Sequence, residues 1–136
     1  MVGFNYELDY KISNEESYRE WIVLCVASYD FTVGDINYIF CDDTYLLKMN
    51  NEFLSHDTLT DIISFDYTIG GCLGGDVFIS LDRVKENALE YDFSFEEELK
   101  RVMIHGVLHY VGFKDKTSED KALMRKEEDK CLLLFK

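Results

Sequence analysis

The 136-residue sequence predicts an α+β domain in which about four strands form a mixed sheet covered by helices. Four segments have the alternating or short apolar pattern of strands, and five have apolar residues at helical spacing. Their order along the chain is β-α-β-α-β-β-α-α-α. The length fits a single domain, residues 1–136, and the 47% of hydrophobic residues is sufficient for its core.

The first half of the chain contains two predicted strands and two predicted helices. Residues 2–10 alternate apolar and polar side chains, which predicts a half-buried strand. Residues 13–16, Ser-Asn-Glu-Glu, resemble a capping box and open a helix. Residues 37–41 predict a second strand, and residues 42–44, Asp-Asp-Thr, cap a helix that follows.

Two short strands and a helix are predicted next. The strands are residues 62–65 and 77–79, which lie on either side of a glycine-rich turn at residues 70–75. A helix from about Ser80 to Tyr91 follows.

The last two predicted helices contain most of the candidate chemistry. Ser94 caps the longest apolar helix, which Gly112 ends. Thr117 begins a final amphipathic helix. We expect the acidic residues of that helix, up to positions 127–129, to face solvent.

Composition limits the classes of function. A formal net charge of −13 disfavours binding to nucleic acid through a generally basic surface, so RNA binding would need a local cationic patch or a carrier complex. The four cysteines have no C-x-x-C spacing, which disfavours a zinc knuckle or a redox pair. The first residues lack a signal-peptide pattern, and no apolar run is long enough to span a bilayer. We therefore expect a cytoplasmic protein without a membrane partner.

A candidate metal site lies in residues 105–115. His105 and His109 are four residues apart and share one helical face, so both imidazoles can reach one ion. Gly112 ends the helix, which allows the chain to fold back and bring Asp115 to the same point. Two histidines and one carboxylate would leave a fourth position for water, as in catalytic zinc sites. We therefore predict one divalent metal ion, zinc.

The alternative is that the two histidines are ordinary solvated or hydrogen-bonded helix residues. The chain has only three histidines, and two of them lie here in an apolar run. Gly106 lowers helix stability by roughly 1 kcal/mol, which indicates the close approach of another group. Gly106 also occupies the place of the glutamate in the H-E-x-x-H motif of metalloproteases, so peptidase chemistry is disfavoured.

Three sequence blocks resemble one known family. Residues 105–113, His-Gly-x-Leu-His-x-x-Gly-Phe, are similar to the signature H-G-x-L-H-x-x-G-(Y/F)-D-H of the YbeY family of metal-dependent endoribonucleases. Residues 60–65 resemble the family's T-(D/N)-V-L-S-F block, and residues 75–80 resemble its G-D-I-x-I-S block. Besides these three blocks, the shorter segment of residues 50–53 fits the family's L-N-x-x-(F/Y) helix end. The resemblance covers roughly residues 37–125, with the blocks in the family's order.

The resemblance implies a zincin-like fold with a single zinc ion. It also implies cleavage of single-stranded RNA in 16S ribosomal RNA 3′-end maturation and ribosome quality control. The implied partners are ribosomal RNA or a pre-ribosomal subunit, together with ribosomal or assembly proteins.

The chain departs from the family pattern at two functional positions. The family's third histidine falls at Asp115, and its preceding aspartate at Lys114. An anionic oxygen ligand in place of an imidazole would broaden the choice of metal toward harder ions such as manganese. The family's arginine falls at Leu54, so one expected phosphate contact is absent.

Four further residues are candidates for roles in substrate binding or in orienting the ligands. Thr60, Asp61 and Ser64 could line a groove beside the metal, or could simply complete a turn and a strand. Arg101 lies one turn before the first histidine and could contact a phosphate, or could pair with Glu97. Lys114 and Lys116, on either side of Asp115, form the best local basic spot, although both could be solvated loop residues.

Two other functions remain open from the residues. One is a non-catalytic ribosome-assembly module with a structural metal, and the other is a metallohydrolase of a different phosphoester or of an amide. An open metal position in a cationic groove would favour RNA cleavage. A closed four-ligand site, or an acidic groove, would favour the binding module.

Overall fold

The sheet has four strands, in the spatial order β1-β2-β4-β3. The structure, a computed structural model, describes residues 1–54 and 60–136, without the side chains of Phe53 and Leu54. The strands are β1 (Val2–Tyr6), β2 (Thr32–Cys41), β3 (Ile62–Asp66) and β4 (Cys72–Ser80). The helices are α1 (Glu15–Ala27), α2 (Asp43–Met49), α3 (Leu81–Tyr91), α4 (Phe95–Val111) and α5 (Ser118–Leu132), and a π-helical turn, Asn50–Leu54, continues α2. The predicted element order and the mixed α+β class are confirmed.

The strand bounds differ from the prediction by more than one residue at three ends. β1 stops at Tyr6, because the chain turns where Tyr10 N–H donates to Leu8 O (2.9 Å). β2 and β4 each begin five residues earlier than predicted and pair in parallel from Thr32↔Cys72 onward. The extra segments contain glycines and a bulge between Val33 and Ile36, which hide the alternating pattern that marks a strand.

The sheet is mixed because β3 runs opposite to its neighbour. β1, β2 and β4 are mutually parallel, whereas β3 pairs with β4 in antiparallel register, Ile62↔Ile79. The start of β3 therefore lies beside the end of β4, where Ser80 N–H donates to Asp61 O (3.0 Å). This register places Asp61 at the same edge of the sheet as the beginning of α3.

Helices cover both faces of the sheet. The main core contains inward residues of β2 and β4, among them Tyr38 and Val77, packed with residues of α1 and α4 such as Ile22 and Leu108. A smaller cluster around Leu46 lies under α2 on the other face. α4 contacts α3, α5, α1, β4 and β3, so it is the central helix of the fold. Within the described ranges, no helix is both long and apolar enough to cross a membrane.

The caps of the last two helices agree with the sequence prediction. Ser94 Oγ accepts from Glu97 N–H (3.1 Å) at the start of α4, and Gly112, at φ 122°, ends this helix. Thr117 and Asp120 form a reciprocal capping box at the start of α5.

The acidic face of α5 is not wholly exposed, and this expectation was wrong for two residues. Glu127 and Glu128 are each only 6% exposed, whereas Glu119 and Asp129 face solvent. Glu127 and Glu128 lie three and four residues after Met124, which places them with it on the buried side of the helix. Burial is tolerated because both carboxylates have polar partners on other parts of the fold.

Candidate metal centre and its adjoining pocket

α4 presents His105 and His109 side by side. Their Nε2 atoms are 3.0 Å apart and their ring centroids 4.6 Å apart. Gly106 lies between them against the sheet, where a Cβ atom would meet Ile62 Cδ1 at 3.1 Å and Val77 Cγ1 at 3.3 Å. The close approach inferred from this glycine is therefore present, and it seats the histidine-bearing turn directly on β3 and β4.

The turn after α4 brings Asp115 back to the histidines. Gly112 leaves the helix at positive φ, and Phe113 N–H donates to Leu108 O (3.0 Å), which folds the chain across the helix end. Asp115 Oδ2 then lies 3.1 Å from His105 Nε2 and 3.5 Å from His109 Nε2. Three groups separated by up to ten residues of sequence therefore meet at one point.

Each histidine is oriented by an acceptor at its other ring nitrogen. His105 Nδ1 lies 2.7 Å from Glu128 Oε2, and His109 Nδ1 lies 3.0 Å from Phe113 O. A carboxylate and a carbonyl oxygen only accept hydrogen bonds, so each Nδ1 carries the proton and donates it. Each ring therefore turns its Nε2 toward Asp115, the arrangement seen in histidines that bind metals.

The spacing of these donor atoms fits a divalent ion. Zinc–nitrogen and zinc–oxygen bonds of about 2.0–2.2 Å place neighbouring tetrahedral ligands roughly 3.3 Å apart. The three atom pairs measure 3.0, 3.1 and 3.5 Å, so His105, His109 and Asp115 occupy three corners of such a tetrahedron. Among the described residues only this group meets the geometry of a metal site, which leaves the fourth corner open.

The electrostatics of the centre favour positive charge. Burial lowers the pKa of His105, but the hydrogen bond to Glu128 and the charges of Glu128, Asp115 and Asp61 outweigh it, so the pKa is raised overall. Three carboxylates thus surround one imidazole, and the same field attracts a metal ion.

A pocket of about 370 Å³ adjoins the centre between α4, α5 and the start of β3. Its lining includes His105, Asp115 and Glu128 of the centre together with a further set of polar and apolar side chains: Asp61, Ile62, Tyr91, Glu98, Arg101, Val102, Lys121, Met124 and Arg125. Acidic and basic residues are nearly balanced in this lining, so the pocket differs from the strongly acidic chain as a whole.

Two carboxyl groups of the pocket have raised pKa values. Burial raises the pKa of Asp61, which accepts a hydrogen bond from Asn87 Nδ2 (3.4 Å). Burial and the neighbouring Asp61 raise the pKa of Glu98 to about 7, against the opposing charges of Arg101 and Arg125.

The structure separates the three candidates at the start of β3. Asp61 lines the pocket. Thr60 Oγ1 instead accepts from Asn50 Nδ2 (3.3 Å), a contact that ties the start of β3 to the end of α2. Ser64 is an exposed residue of β3 whose side chain hydrogen-bonds Tyr110 on α4. Asp61 is thus the one of the three that the pocket includes, while Thr60 and Ser64 contact other elements of the fold.

Arg101 lies in the pocket wall but is paired. Its Nη1 is 3.1 Å from Glu128 Oε1 and 2.9 Å from Asp129 Oδ1, so its partners are on α5 and not Glu97 on its own helix. This pairing holds the Glu128 carboxylate in place against Nδ1 of His105. Arg101 therefore supports the centre through Glu128.

The basic residues nearest the pocket differ from those singled out in the sequence. Lys114 and Lys116 are exposed loop residues outside the pocket lining, whereas Lys121 and Arg125 of α5 belong to it. The side chain of Leu54, where the family's arginine falls, lies outside the described residues, as does His56.

Sequence reasoning missed Glu98 and Glu128. Both carry a sequence signal, because each acid falls on the buried side of an amphipathic helix, beside Leu99 and Met124 respectively. An acid at such a position has to be paired or functional.

Comparisons with known proteins agree with this geometry. The chain is 56% identical over 135 residues to the endoribonuclease YbeY of Flavobacterium psychrophilum, covering 99% of this chain and 96% of that protein. It is 49% identical over 117 residues to the endoribonuclease YbeY of Porphyromonas gingivalis, covering 86% of this chain and 78% of that protein. A solution structure of a Thermotoga maritima protein has the same fold, with a TM-score of 0.69 at 24% identity, over 99% of this chain and 89% of that one.

The family model described as Endoribonuclease YbeY matches residues 5–136. This match includes all of the residues of the candidate metal centre and of its adjoining pocket. The resemblance seen in the three sequence blocks is confirmed, and the chain belongs to the endoribonuclease YbeY family of hydrolases that act on RNA.

Proposed function

We propose that this domain cleaves single-stranded RNA with one divalent ion, zinc, held by His105, His109 and Asp115. The observation that carries this proposal is the triangle of Nε2, Nε2 and Oδ2 atoms, which are separated by 3.0–3.5 Å. Family membership supplies the reaction class, hydrolysis of RNA.

Different residues of the chain would orient the ligands of this ion and bind the phosphates of the RNA. A divalent ion bound there supplies a Lewis acid for a phosphoryl oxygen and for the attacking oxygen. Glu128 and the Phe113 carbonyl hold both imidazoles in the tautomer that leaves Nε2 free. Lys121 and Arg125 offer positive charge at the pocket for the phosphates of the strand.

The other two functions weighed from the sequence have less support. Residues 1–54 and 60–136 show no fourth protein ligand at the centre, so the closed site of a purely structural metal is not found there. Gly106 provides no general base beside His105, so amide hydrolysis of the H-E-x-x-H type has no support.

The substrate we propose is precursor 16S ribosomal RNA near its 3′ end, bound alone or within a pre-ribosomal subunit with ribosomal or assembly proteins. The support is the resemblance of the chain to the YbeY family over the signature and the two strand blocks. A net charge of −13 suits a substrate presented by a larger complex better than capture of free RNA. Such a substrate is found in the cytoplasm, which is the location we propose.

The experiment measures metal content and RNA cleavage together. The untagged full chain would be assayed by elemental mass spectrometry and on a labelled single-stranded RNA, beside His105→Ala and Asp115→Ala variants. We expect about one zinc per chain and cleavage in the wild type, with both lost in both variants. Glu119→Gln, on the exposed face of α5, is the matched control that should retain both.

Two results would overturn the proposal. One is a wild type without metal. The other is an Asp115→Ala variant that keeps both its metal and its cleavage rate, because the three-ligand centre would then be wrong.

A further inference from the structure

One acid of the pocket, Glu98, has no side-chain hydrogen bond to any residue that the structure describes. Glu98 is only 6% exposed, and it lines the pocket. Within residues 1–54 and 60–136 no group donates a hydrogen bond to its carboxyl oxygens, whereas Asp61 accepts from Asn87 and Glu128 accepts from Arg101. Its carboxyl oxygens keep contact with the open space of the pocket, so a donor on a bound ligand could reach them.

Glu98 and His105 lie on the same face of α4. Glu98 precedes His105 by seven residues on α4, which is two helical turns or about 10 Å along the axis. Val102 lies between them, and Ile62 and Met124 complete apolar walls. The pocket therefore runs from the metal ligands, past apolar side chains, to a buried acceptor.

This arrangement fits one nucleotide of an RNA strand. A nucleotide has a phosphate at one end, flat apolar base faces in the middle and a polar base edge at the other end. The pocket volume of about 370 Å³ is within the usual range for small-ligand sites. Recognition of single-stranded RNA commonly reads the Watson–Crick edge of an unstacked base.

The chemistry of the acceptor selects the base. A carboxylate accepts two hydrogen bonds side by side and donates none. Guanine alone presents two adjacent N–H donors, at N1 and N2, on its Watson–Crick edge. Uracil has a single donor between two carbonyl oxygens, and adenine and cytosine present a donor beside an acceptor nitrogen, which a carboxylate repels.

We propose that the pocket beside the metal centre binds a guanine base of the RNA strand next to the cleaved phosphodiester, with Glu98 accepting from N1–H and N2–H. This inference rests on the proposed function for the nature of the strand. Two donors would satisfy the buried carboxyl and favour its ionised form, which offsets the cost of its burial.

Two cations are placed to hold the rest of the strand. Lys121 and Arg125 are four residues apart on one face of α5, exposed, and both line the pocket. Neither forms a salt bridge in the described part of the chain. They can therefore contact phosphates on either side of the bound nucleotide, while Arg101 is already paired with α5.

The first test is binding of mononucleotides, which does not depend on cleavage. The zinc-loaded full chain would be titrated calorimetrically with guanosine, adenosine, cytidine and uridine 5′-monophosphates. We expect the guanine nucleotide to bind at least about tenfold more tightly than the others. Inosine 5′-monophosphate, which lacks the N2 amino group, should lose most of that advantage in the wild type itself. The inosine comparison needs no mutation, so it holds even if a Glu98 variant fails to fold.

The second test changes the acceptor. Glu98→Gln presents one donor and one acceptor, so the preference for guanine should fall about tenfold, while zinc content stays at one per chain. Glu97→Gln, an exposed neighbour on the same helix, should keep the preference. Equal binding of all four nucleotides by the wild type, or an unchanged guanine preference in a folded Glu98→Gln variant, would overturn the proposal.

Cleavage of a single-stranded RNA pool of random sequence separates this inference from the proposed function. Enrichment of guanine next to the cut in the wild type, lost in Glu98→Gln, supports both. Efficient cleavage without any base preference overturns the guanine site and leaves the nuclease function intact. Selective guanine nucleotide binding without cleavage overturns the nuclease function and leaves the site intact.

Discussion

Glu128 on α5 and His105 on α4 are joined by a 2.7 Å contact between Oε2 and Nδ1, across 23 residues of sequence. The other Glu128 oxygen accepts from Arg101 Nη1 at 3.1 Å, so the carboxylate is held from behind. The contact couples the docking of the last helix to the orientation of His105, a proposed metal ligand. Removing it should therefore alter metal binding without touching a ligand.

We expect Glu128→Gln to weaken zinc binding by roughly 10–100-fold, because the amide keeps the shape of the side chain but loses the charge that makes the imidazole a stronger ligand. Competition against a chromophoric zinc chelator would measure the affinity. Glu119→Gln on the exposed face of the same helix is the control. A folded Glu128→Gln protein with wild-type zinc affinity would show that this contact has no role in metal binding.

The meeting of His105, His109 and Asp115 could be predicted from the sequence because its geometry is local. His105 and His109 share a face of one helix whatever the rest of the fold does, and Gly112 reverses the chain three residues later. Asp115 is then within reach of both. The element order was predictable for a similar reason, since caps such as Ser94 and Thr117 act within one turn.

The supporting residues could not be predicted because their partners come from distant parts of the chain. Arg101 has an acid at i−4 on its own helix, yet it pairs with α5, and only the packing of α4 against α5 decides between the two. Glu128 looked like a solvent residue within an acidic run, and its burial follows from the rotation of α5 about its axis. The hydrophobic phase of that helix is weakened by the charged residues around it, so the sequence signal was faint.

Gly106→Ala should destabilise the fold by about 1 kcal/mol. The added methyl would overpack the contact with the sheet, at a typical cost of 1–3 kcal/mol, against a gain in helix propensity of up to about 1 kcal/mol. Val77 Cγ1, at 3.3 Å, belongs to a fully buried β-branched side chain that cannot move aside easily. Urea unfolding of the metal-free protein would measure the change in the free energy of unfolding.

Ile62→Val provides the internal control for this contact. The substitution removes Ile62 Cδ1, the atom at 3.1 Å from the added Cβ, so the double variant should lose less stability than the sum of the two single changes. A Gly106→Ala protein at least as stable as the wild type would mean that the helix shifts away from β3 and β4 at little cost.

Asp115→His should retain one metal per chain and raise the preference for zinc over manganese by roughly tenfold, because imidazole is a softer ligand than carboxylate. The Asp115 side chain is 42% exposed, so the loop has room for the larger ring. Elemental mass spectrometry after dialysis against equal concentrations of both ions would measure the ratio. Asp115→Ala should lose most of the metal under the same conditions. If the histidine variant also lost its metal, the loop after Gly112 would be suited only to a short carboxylate.

The burial of Glu98 should be visible in the pH dependence of stability. Burial and Asp61 raise its pKa from 4.5 to about 7, and the charges of Arg101 and Arg125 oppose this shift. The neighbouring Glu128 carboxylate also raises it. Between these two pH values the folded chain holds a proton on Glu98 that the unfolded chain has released. Stability from this group is therefore complete below about pH 4.5 and falls as the pH rises to about 7.

Glu98→Gln removes this dependence because an amide does not titrate. The free energy of unfolding of the variant relative to the wild type should rise across this range, by up to roughly 3 kcal/mol, and then level off. Urea unfolding of the metal-free proteins at a series of pH values would measure it. Glu97→Gln, exposed on the same helix, is the control. A difference that stays constant from pH 4.5 to 8 would mean that water or a counter-ion solvates the Glu98 carboxylate in the pocket, which would also remove the need for a base to donate to it.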